Sequence, residues 1–473
     1  MDSVSENGVL QNSPWPATSS KVPFNSCPSN HCDLQDITFM QSGLIYSSSL
    51  PKVLSGREHG SLTTAISRYS PPNLTRSYRS YVASKYLPSQ MTKIDQYQQK
   101  AFCGFYSRSG NIFLTAAQDF SLRIYDTCCE NFKLMRTVFA RDVGWSVLDV
   151  DLSPDGQYFV YSSWSDYLNL CSVTESEFHQ SLPLDSHERM FCIFSLRFSH
   201  DGQEIIGGAN NGCVYIFNRA KNQRTHRIKC HPDDLNTVAL ADSSSNIIFS
   251  GSDDGFLKVW DRRTLDENNP KPVGIFIGHR QGIIYIDSRG DGRHLISNSK
   301  DQSIKLWDMR KFCPVEKLPS KIDILGLDWD YRWQDVPKEL LVEPPKMDGD
   351  TSLLTFRGHS VRQTLIRCHF SPMATTGQRY IYTGCAAGRV YIYDVMTGSV
   401  ASVLEGHQGC VRDVSWHPEL PDLVSSSWDN TIAKWSYSEE TALVMDRSSH
   451  SESRLRSRFA RHARGLNEEL KGT

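Results

Sequence analysis

HPDDLNTVALADSSSNIIFSGSDDGFLKVWDRR runs from His231 to Arg263, and GHRQGIIYIDSRGDGRHLISNSKDQSIKLWDMR runs from Gly278 to Arg310. The second stretch nearly repeats the first. Each opens on a histidine, carries a Ser-x-Ser-x-Asp turn and ends in Trp-Asp-x-Arg. His231 stands 29 residues before Trp260, and His279 stands 28 before Trp307. Between the landmarks lie short apolar runs broken by turn residues, the pattern of strands rather than helices. A repeat of this length cannot bury its apolar faces alone, so it has to stack on further copies of itself.

More copies flank the pair. The histidine, serine, aspartate and tryptophan recur as His407, Ser425, Asp429 and Trp435. Looser copies are NIFLTAAQDFSLRIYD, with Asp119 and Tyr125 in the Asp and Trp positions, then SVLDVDLSPDGQYFVYSSWSDYLNLCSV and FSLRFSHDGQEIIGGANNGCVYIFN. Another unit runs from Gly358-His359 to Asp394, with Ala387 where the turn aspartate belongs. Seven units thus fill roughly residues 95–440. The expected fold is an all-β, seven-bladed WD-repeat β-propeller, because a closed ring leaves no open sheet edge. A segment before Tyr97 is expected to complete the last blade as its outermost strand.

What lies outside the blades reads differently. Residues 1–70 are rich in Ser, Pro, Asn and Gly without periodicity and are expected to be disordered. Their Cys27, His31 and Cys32 lack the second ligand pair that zinc needs. Residues 71–94 form a helix and connector: Leu74, Tyr78, Val82 and Tyr86 recur at helical spacing with Arg76, Arg79 and Lys85 between them. That helix either covers the ring's own rim or is offered to a partner groove. A long loop, 311–350, separates blades 5 and 6 and contains DWDYRWQD, too aromatic for a disordered linker. The tail, 441–473, holds RLRSRFARHARGL, which suits nuclear import, an acidic surface, or simply solvent.

Bulk properties narrow the function. A net charge of −2 and a pI of about 6.7 argue against a protein built to hold nucleic acid or an anionic membrane. No apolar run approaches the roughly 18 residues of a membrane span, and the N-terminus lacks a secretory pattern. Thirteen cysteines, mostly inside strands, read as reduced core thiols in a nuclear and cytoplasmic protein.

His279, Ser297, Asp301 and Trp307 resemble a hydrolase constellation. The same set recurs as His231, Ser250, Asp254 and Trp260, and again at His407, and an active site is not needed three times around a ring. The sets are read as structural tetrads in which Asp holds imidazole, imidazole holds Ser, and Ser holds the indole N–H. The chain also lacks a P-loop and HExxH. No catalytic residue, metal or cofactor is expected.

Packing accounts for the Trp-Asp pairs but not for the arginines two residues later. Arg263 and Arg310 are expected to emerge on the face opposite the histidine loops, side by side on adjacent blades, with Asp261 and Asp308 orienting their guanidiniums. Oriented arginines on a ring face suit a protein partner.

Tandem Trp-Asp-x-Arg blades resemble the docking motif of WD-repeat substrate receptors of cullin-4 ubiquitin ligases. The resemblance extends to ARDVGWSVLDV (140–150), YSSWSDY (161–167), HLISNSKDQSIKLWD (294–308), WDYRWQ (329–334), TLIRCHFSP (364–372) and VRDVSWHP (411–418), which are similar to receptors of the cullin-4-associated factor 11 and plant LEC14B type. It covers about Gln96 to Trp435 and is absent before residue 50. It implies a non-catalytic subunit that binds the adaptor damaged-DNA-binding protein 1 through Asp261, Arg263, Asp308 and Arg310, and a target protein on the opposite face. A scaffold without ligase function is the alternative. Candidate target-face residues are Trp164, Tyr167 and Trp428, each of which can equally pack between blades. Trp329-Asp330-Tyr331-Arg332 repeats the motif by letters without a preceding blade strand. Its place after Arg310 leads to the expectation that it lies on the adaptor side.

Overall fold

Seven four-stranded antiparallel sheets form the ring. The computed structural model describes residues 38, 86–129, 132–186, 188–319, 329–342 and 345–438. The cluster at Cys27, His31 and Cys32, nearly all of the 74–86 segment and the arginine-rich tail lie outside the described residues. Blades 1 to 6 span Ala101–Phe139, Asp149–Pro183, Ile193–Lys229, Leu235–Phe276, Ile283–Arg357 and Cys368–Glu405. Blade 7 takes three strands from Val411–Ser436 and its fourth from Gln90–Gln96, which pairs antiparallel with Thr431–Ser436. The clasp expected before Tyr97 is therefore present, and it joins the two ends of the ring non-covalently.

Within a blade the strands run a, b, c, d from the central channel outward. Their antiparallel order fixes two faces. The d–a loops, which carry the histidines, and the b–c turns lie on one face, here the upper. The a–b turns and c–d connections lie on the lower. Strands b and c are buried almost throughout, as in Ile247–Ser252 and Ser303–Asp308, while d strands such as Lys133–Phe139 are mostly exposed. The apolar clusters lie between neighbouring sheets. One packs Leu122 and Ile124 of blade 1 on Phe159 and Tyr161 of blade 2.

Inner strands also hand hydrogen bonds from blade to blade. Backbone N–H groups of Leu196, Val238, Ile286, Phe370 and Gly104 donate to side chains of the preceding blade. Their acceptors are Asp149 (2.7 Å), Ser195 (3.2 Å), Thr237 (3.1 Å), Asp287 (2.9 Å) and Asp413 (3.2 Å). These bonds satisfy the channel-side edges, whose groups would otherwise be buried without partners.

Six of the seven b–c turns place one residue at positive φ. Gly212, Gly255, Gln302, Gly388 and Asn430 take that position in blades 3 to 7, and blade 1 uses Phe120 at φ 62°. The left-handed region costs an L-residue about 1–2 kcal/mol, and Phe120 is 41% exposed, so burial recovers little of it. Phe120→Asn is expected to raise stability by up to about 1 kcal/mol in urea unfolding; a loss of stability would show that the ring is held by contacts of its own.

Candidate functional site: two opposed faces of the ring

The tetrads assemble inside the blades. In blade 5, His279 Nδ1 donates to Asp301 (3.0 Å), the Ser297 hydroxyl donates to His279 Nε2 (2.7 Å), and Trp307 Nε1 donates to Ser297 Oγ (2.8 Å). The set of His231, Ser250, Asp254 and Trp260 has the corresponding distances 2.7, 2.7 and 2.8 Å. His407, Ser425, Asp429 and Trp435 have 2.9, 2.6 and 2.7 Å. All three imidazoles are buried, so the serines stand under protein rather than at an open surface. Burial pushes the His231 imidazole below its ordinary pKa, which favours the neutral tautomer this chain of bonds requires. Blade 6 substitutes Tyr393 for the tryptophan: its hydroxyl lies 2.9 Å from His359 Nδ1, and His359 Nε2 donates to Asn298 of blade 5 (3.0 Å). Ser297→Ala would orphan the Trp307 N–H and His279 Nε2 together. The expected loss is roughly 2–6 kcal/mol in urea unfolding, at about 1–3 kcal/mol per stranded group.

Asp261 and Asp308 end strand c of adjacent blades, on the lower rim. Each aspartate caps the turn that follows: Asp261 Oδ1 accepts the Arg263 backbone N–H (3.0 Å), and Asp308 Oδ1 accepts that of Arg310 (3.0 Å). The same carboxylates grip the guanidiniums. Arg263 donates Nε and Nη2 to Asp261 at 2.9 and 2.6 Å. Arg310 donates more loosely, Nη2 to Asp308 at 3.1 Å, because Arg293 from the a–b turn shares that carboxylate at 2.9 Å. The hydrogen bonds from Arg263 hold the Asp261 carboxyl down to about 2, so the pair stays ionised at any physiological pH. Arg263 and Arg310 are 68% and 56% exposed, whereas their aspartates are 14% and 0% exposed. The rim thus presents two guanidiniums whose direction is set from beneath. In blade 6, Asp394 holds the Met396 N–H in the same way (2.8 Å) and pairs with Arg379 (2.6 Å). Its turn therefore carries a methionine where blades 4 and 5 carry the arginine. Thr38, from the N-terminal region, is buried beside this rim and accepts a hydrogen bond from Arg289 of blade 5 (3.1 Å).

The Trp-Asp-Tyr-Arg loop is not on this side. After Arg310 the chain does not turn back at once. Phe312 packs over Gly274 and against Phe276, with ring centroids 5.1 Å apart, and the Cys313 N–H donates to Ile275 O (2.9 Å). Residues 312–313 therefore lie along the outside of blade 4, and residues 329–335 lie on the upper face. There the Lys300 ammonium lies 4.2 Å from the Tyr331 ring centroid, and the Gln363 N–H donates to Tyr331 O (2.8 Å). Lys300 is in a b–c turn and Gln363 in a d–a loop, both upper-face positions. The expected adaptor-side placement of Trp329–Arg332 is corrected on that ground.

Of the three upper-face aromatics singled out from sequence, Tyr167 is surface, at 45% exposure. Trp164 packs edge-on to Phe194 of blade 3 (6.2 Å), and Trp428 lies against Phe102 of blade 1 (5.8 Å) with Lys100 over its ring. Those two serve the seams between blades. More exposed are Trp145 at 61% and Trp333 at 81%, in loops whose spacing carries no periodic signal.

Sequence reasoning also missed the channel. Arg367 of blade 6 reaches Asp149 of blade 2 (2.5 Å) and Asp413 of blade 7 (2.9 Å). Arg412 donates to the carbonyls of Phe102 (2.6 Å) and Leu148 (3.2 Å). Asp149 and Asp413 interrupt the apolar run of an innermost strand, and that interruption was the available signal.

Three stretches, residues 222–261, 270–308 and 398–436, match the family model described as WD domain, G-beta repeat. The chain is 41% identical over 369 residues to a LEC14B homolog of Prunus armeniaca, covering 76% of each protein. It is 39% identical over 402 residues to the LEC14B protein of Lithospermum erythrorhizon, covering 82% of each. It is 38% identical over 375 residues to a DDB1- and CUL4-associated factor 11 homolog of Caenorhabditis elegans, covering 76% of this chain and 64% of that one. With two relatives close to 40% identical along most of both lengths, this chain belongs to the family of WD-repeat proteins that includes LEC14B and the DDB1- and CUL4-associated factor 11 homologs.

Proposed function

We propose that the chain is the substrate receptor of a cullin-4 ubiquitin ligase. The carrying observation is the lower rim, where two exposed arginines are aimed by the buried Asp308 and the partly buried Asp261 on neighbouring blades. The nematode relatives are named for association with DDB1 and CUL4, which supports reading this rim as the adaptor contact. Preset guanidiniums lose little side-chain entropy on binding, so more of each new hydrogen bond is retained as affinity. The upper face is left for the target.

In this reading the chain performs no chemistry. It raises the local concentration of target lysines near the charged ubiquitin enzyme, an effect set by tethering geometry alone. The polar groups that look catalytic are the tetrads, and each is used up in holding a blade together. The test is co-purification of the full chain with DDB1 followed by size-exclusion chromatography. A stable co-eluting complex supports the receptor; a folded chain that never co-elutes leaves a scaffold without a ligase.

A further inference from the structure

The Asp-x-Arg turn of the lower rim occurs a third time, at Asp330–Arg332 on the upper face. Asp330 Oδ1 accepts the Arg332 backbone N–H at 3.0 Å, as Asp261 and Asp308 do for Arg263 and Arg310. Its carboxylate grips Arg332 Nε at 2.9 Å and Nη2 at 2.8 Å. Arg332 is 62% exposed, against 68% and 56% for the rim arginines. This copy has no blade strand beneath it. The loop fixes it by other means: Tyr331 points down onto Lys300, the Trp333 and Gln334 N–H groups donate to Asp330 O (3.1 and 3.0 Å), Gln334 Oε1 accepts the Asp330 N–H (3.0 Å), and Asp335 pairs with Arg362. Trp333, next in sequence, is left 81% exposed.

Two features need explaining together. Exposing an indole to water forgoes the burial that most of the described tryptophans obtain, and clamping the turn beneath it removes the freedom to hide it. Exposed, pre-fixed Trp and Arg side chains are the residue types that dominate binding hot spots. With Nε and Nη2 occupied by Asp330, the remaining guanidinium edge is free to donate to an oxygen anion, while the indole takes an apolar side chain.

We infer that residues 330–333 are the anchor of the target-binding face, with Arg332 and Trp333 as specificity-determining residues for a target segment that carries an Asp or Glu beside an apolar residue. The inference rests on the receptor reading for the word target, but the surface itself is independent of the adaptor rim. The occupant is a separate protein rather than a described end of this chain. Tyr86 and Tyr437 flank the Gln90–Gln96 clasp at its lower end and meet edge to face (5.0 Å), so both ends of the ring leave from the opposite face.

The test uses the full chain and a phage-displayed library of random 15-residue peptides. Wild type is expected to select peptides with an acidic residue next to Leu, Ile, Val or Phe. Synthetic versions should lose about tenfold or more in affinity to Arg332→Ala and to Trp333→Ala, which is about 1.4 kcal/mol or more. They should bind Arg263→Ala/Arg310→Ala undiminished. Arg332→Lys separates the oriented fork from simple charge, and it is expected to restore only part of the binding. Phosphorylated versions of the same peptides, with phosphoserine in place of the acid, show whether carboxylate or phosphate is preferred. A library that yields no binder, a consensus without an acid, or equal binding to wild type and both alanine variants overturns the inference. Peptide binding at this turn by a chain that fails to co-elute with DDB1 would instead overturn the receptor reading and leave the surface standing.

Discussion

Arg263→Ala/Arg310→Ala is expected to abolish the proposed co-elution with DDB1 while the ring stays folded, with the urea midpoint close to wild type. The separation of the two readouts follows from where the energy of each group resides. Both guanidiniums are more than half exposed, and exposed ion pairs contribute roughly 0–1 kcal/mol to folding. Removing them also leaves Asp261 solvated enough to stay charged at little cost, and Asp308 keeps Arg293. At an interface the same groups become desolvated, and truncating a buried, oriented arginine typically costs about 2 kcal/mol or more. Two on adjacent blades take a submicromolar complex beyond detection by co-elution. The singles differ. Asp308 divides its carboxylate between Arg293 and Arg310, so Arg310 is less rigidly aimed, and Arg263→Ala should be the more damaging of the two. A double variant that co-elutes normally would mean the adaptor, if bound at all, uses another surface.

Arg367→Met gives a large expected loss of stability, roughly 3–5 kcal/mol, the usual cost of breaking a buried ion pair from one side. The side chain is a good volume match, so packing is not the cause. What changes is that Asp149 and Asp413, both buried, lose the guanidinium that bridges them, Asp149 keeping Arg197 at 3.5 Å and Asp413 keeping His369 at 3.4 Å. Adding Asp149→Asn and Asp413→Asn should restore a substantial part, because the uncompensated charge is then gone. If the triple variant is no better than the single, the arginine acts by shape.

The same network sets the acid response. Burial pushes the Asp413 carboxyl up, but Arg367 and His369 outweigh it and hold the group at about 2. Asp291 is likewise held at about 2, against its burial, by bonds from His294. For Asp301 and Asp429 burial again opposes, and their tetrad histidines win, leaving both carboxyls below the ordinary range. These groups bind protons more weakly folded than unfolded, so their stabilisation is present above the ordinary carboxylate pKa of about 3.9 and is lost as pH falls toward 2. Between about pH 6.5 and 4 two opposing sets act. Burial lowers His359 to about 3 and lowers His231, so acid destabilises through them. Burial raises Asp151 to about 6 and raises Asp287, so acid stabilises through those. The expected urea midpoint is therefore nearly level from about pH 7 to 5 and drops steeply between about 4 and 2. A steep loss already at pH 6 would show the histidines prevailing.

The repeats at His231–Arg263 and Gly278–Arg310, together with the copies that flank them, determined the ring, its number of blades, the clasp before Tyr97 and the three tetrads. Each of these depends on contacts whose positions recur at a fixed spacing along the chain, and a period is visible in letters. The lower rim was legible for the same reason, since Asp-x-Arg follows a strand whose end and direction the pattern sets. What only the tertiary structure decided are the features made by residues far apart in the chain or by loops without a period. Arg367 meets Asp149 across 218 positions, and no spacing rule foretells a contact through the middle of a ring. Trp329–Arg332 repeats the motif by letters without a blade strand before it and was expected on the adaptor side, yet its Tyr331 sits by Lys300 and Gln363 on the other face. Local letters determine the turn that aims an arginine; the side of the ring it serves is set by tertiary contacts such as those of Tyr331 with Lys300 and Gln363.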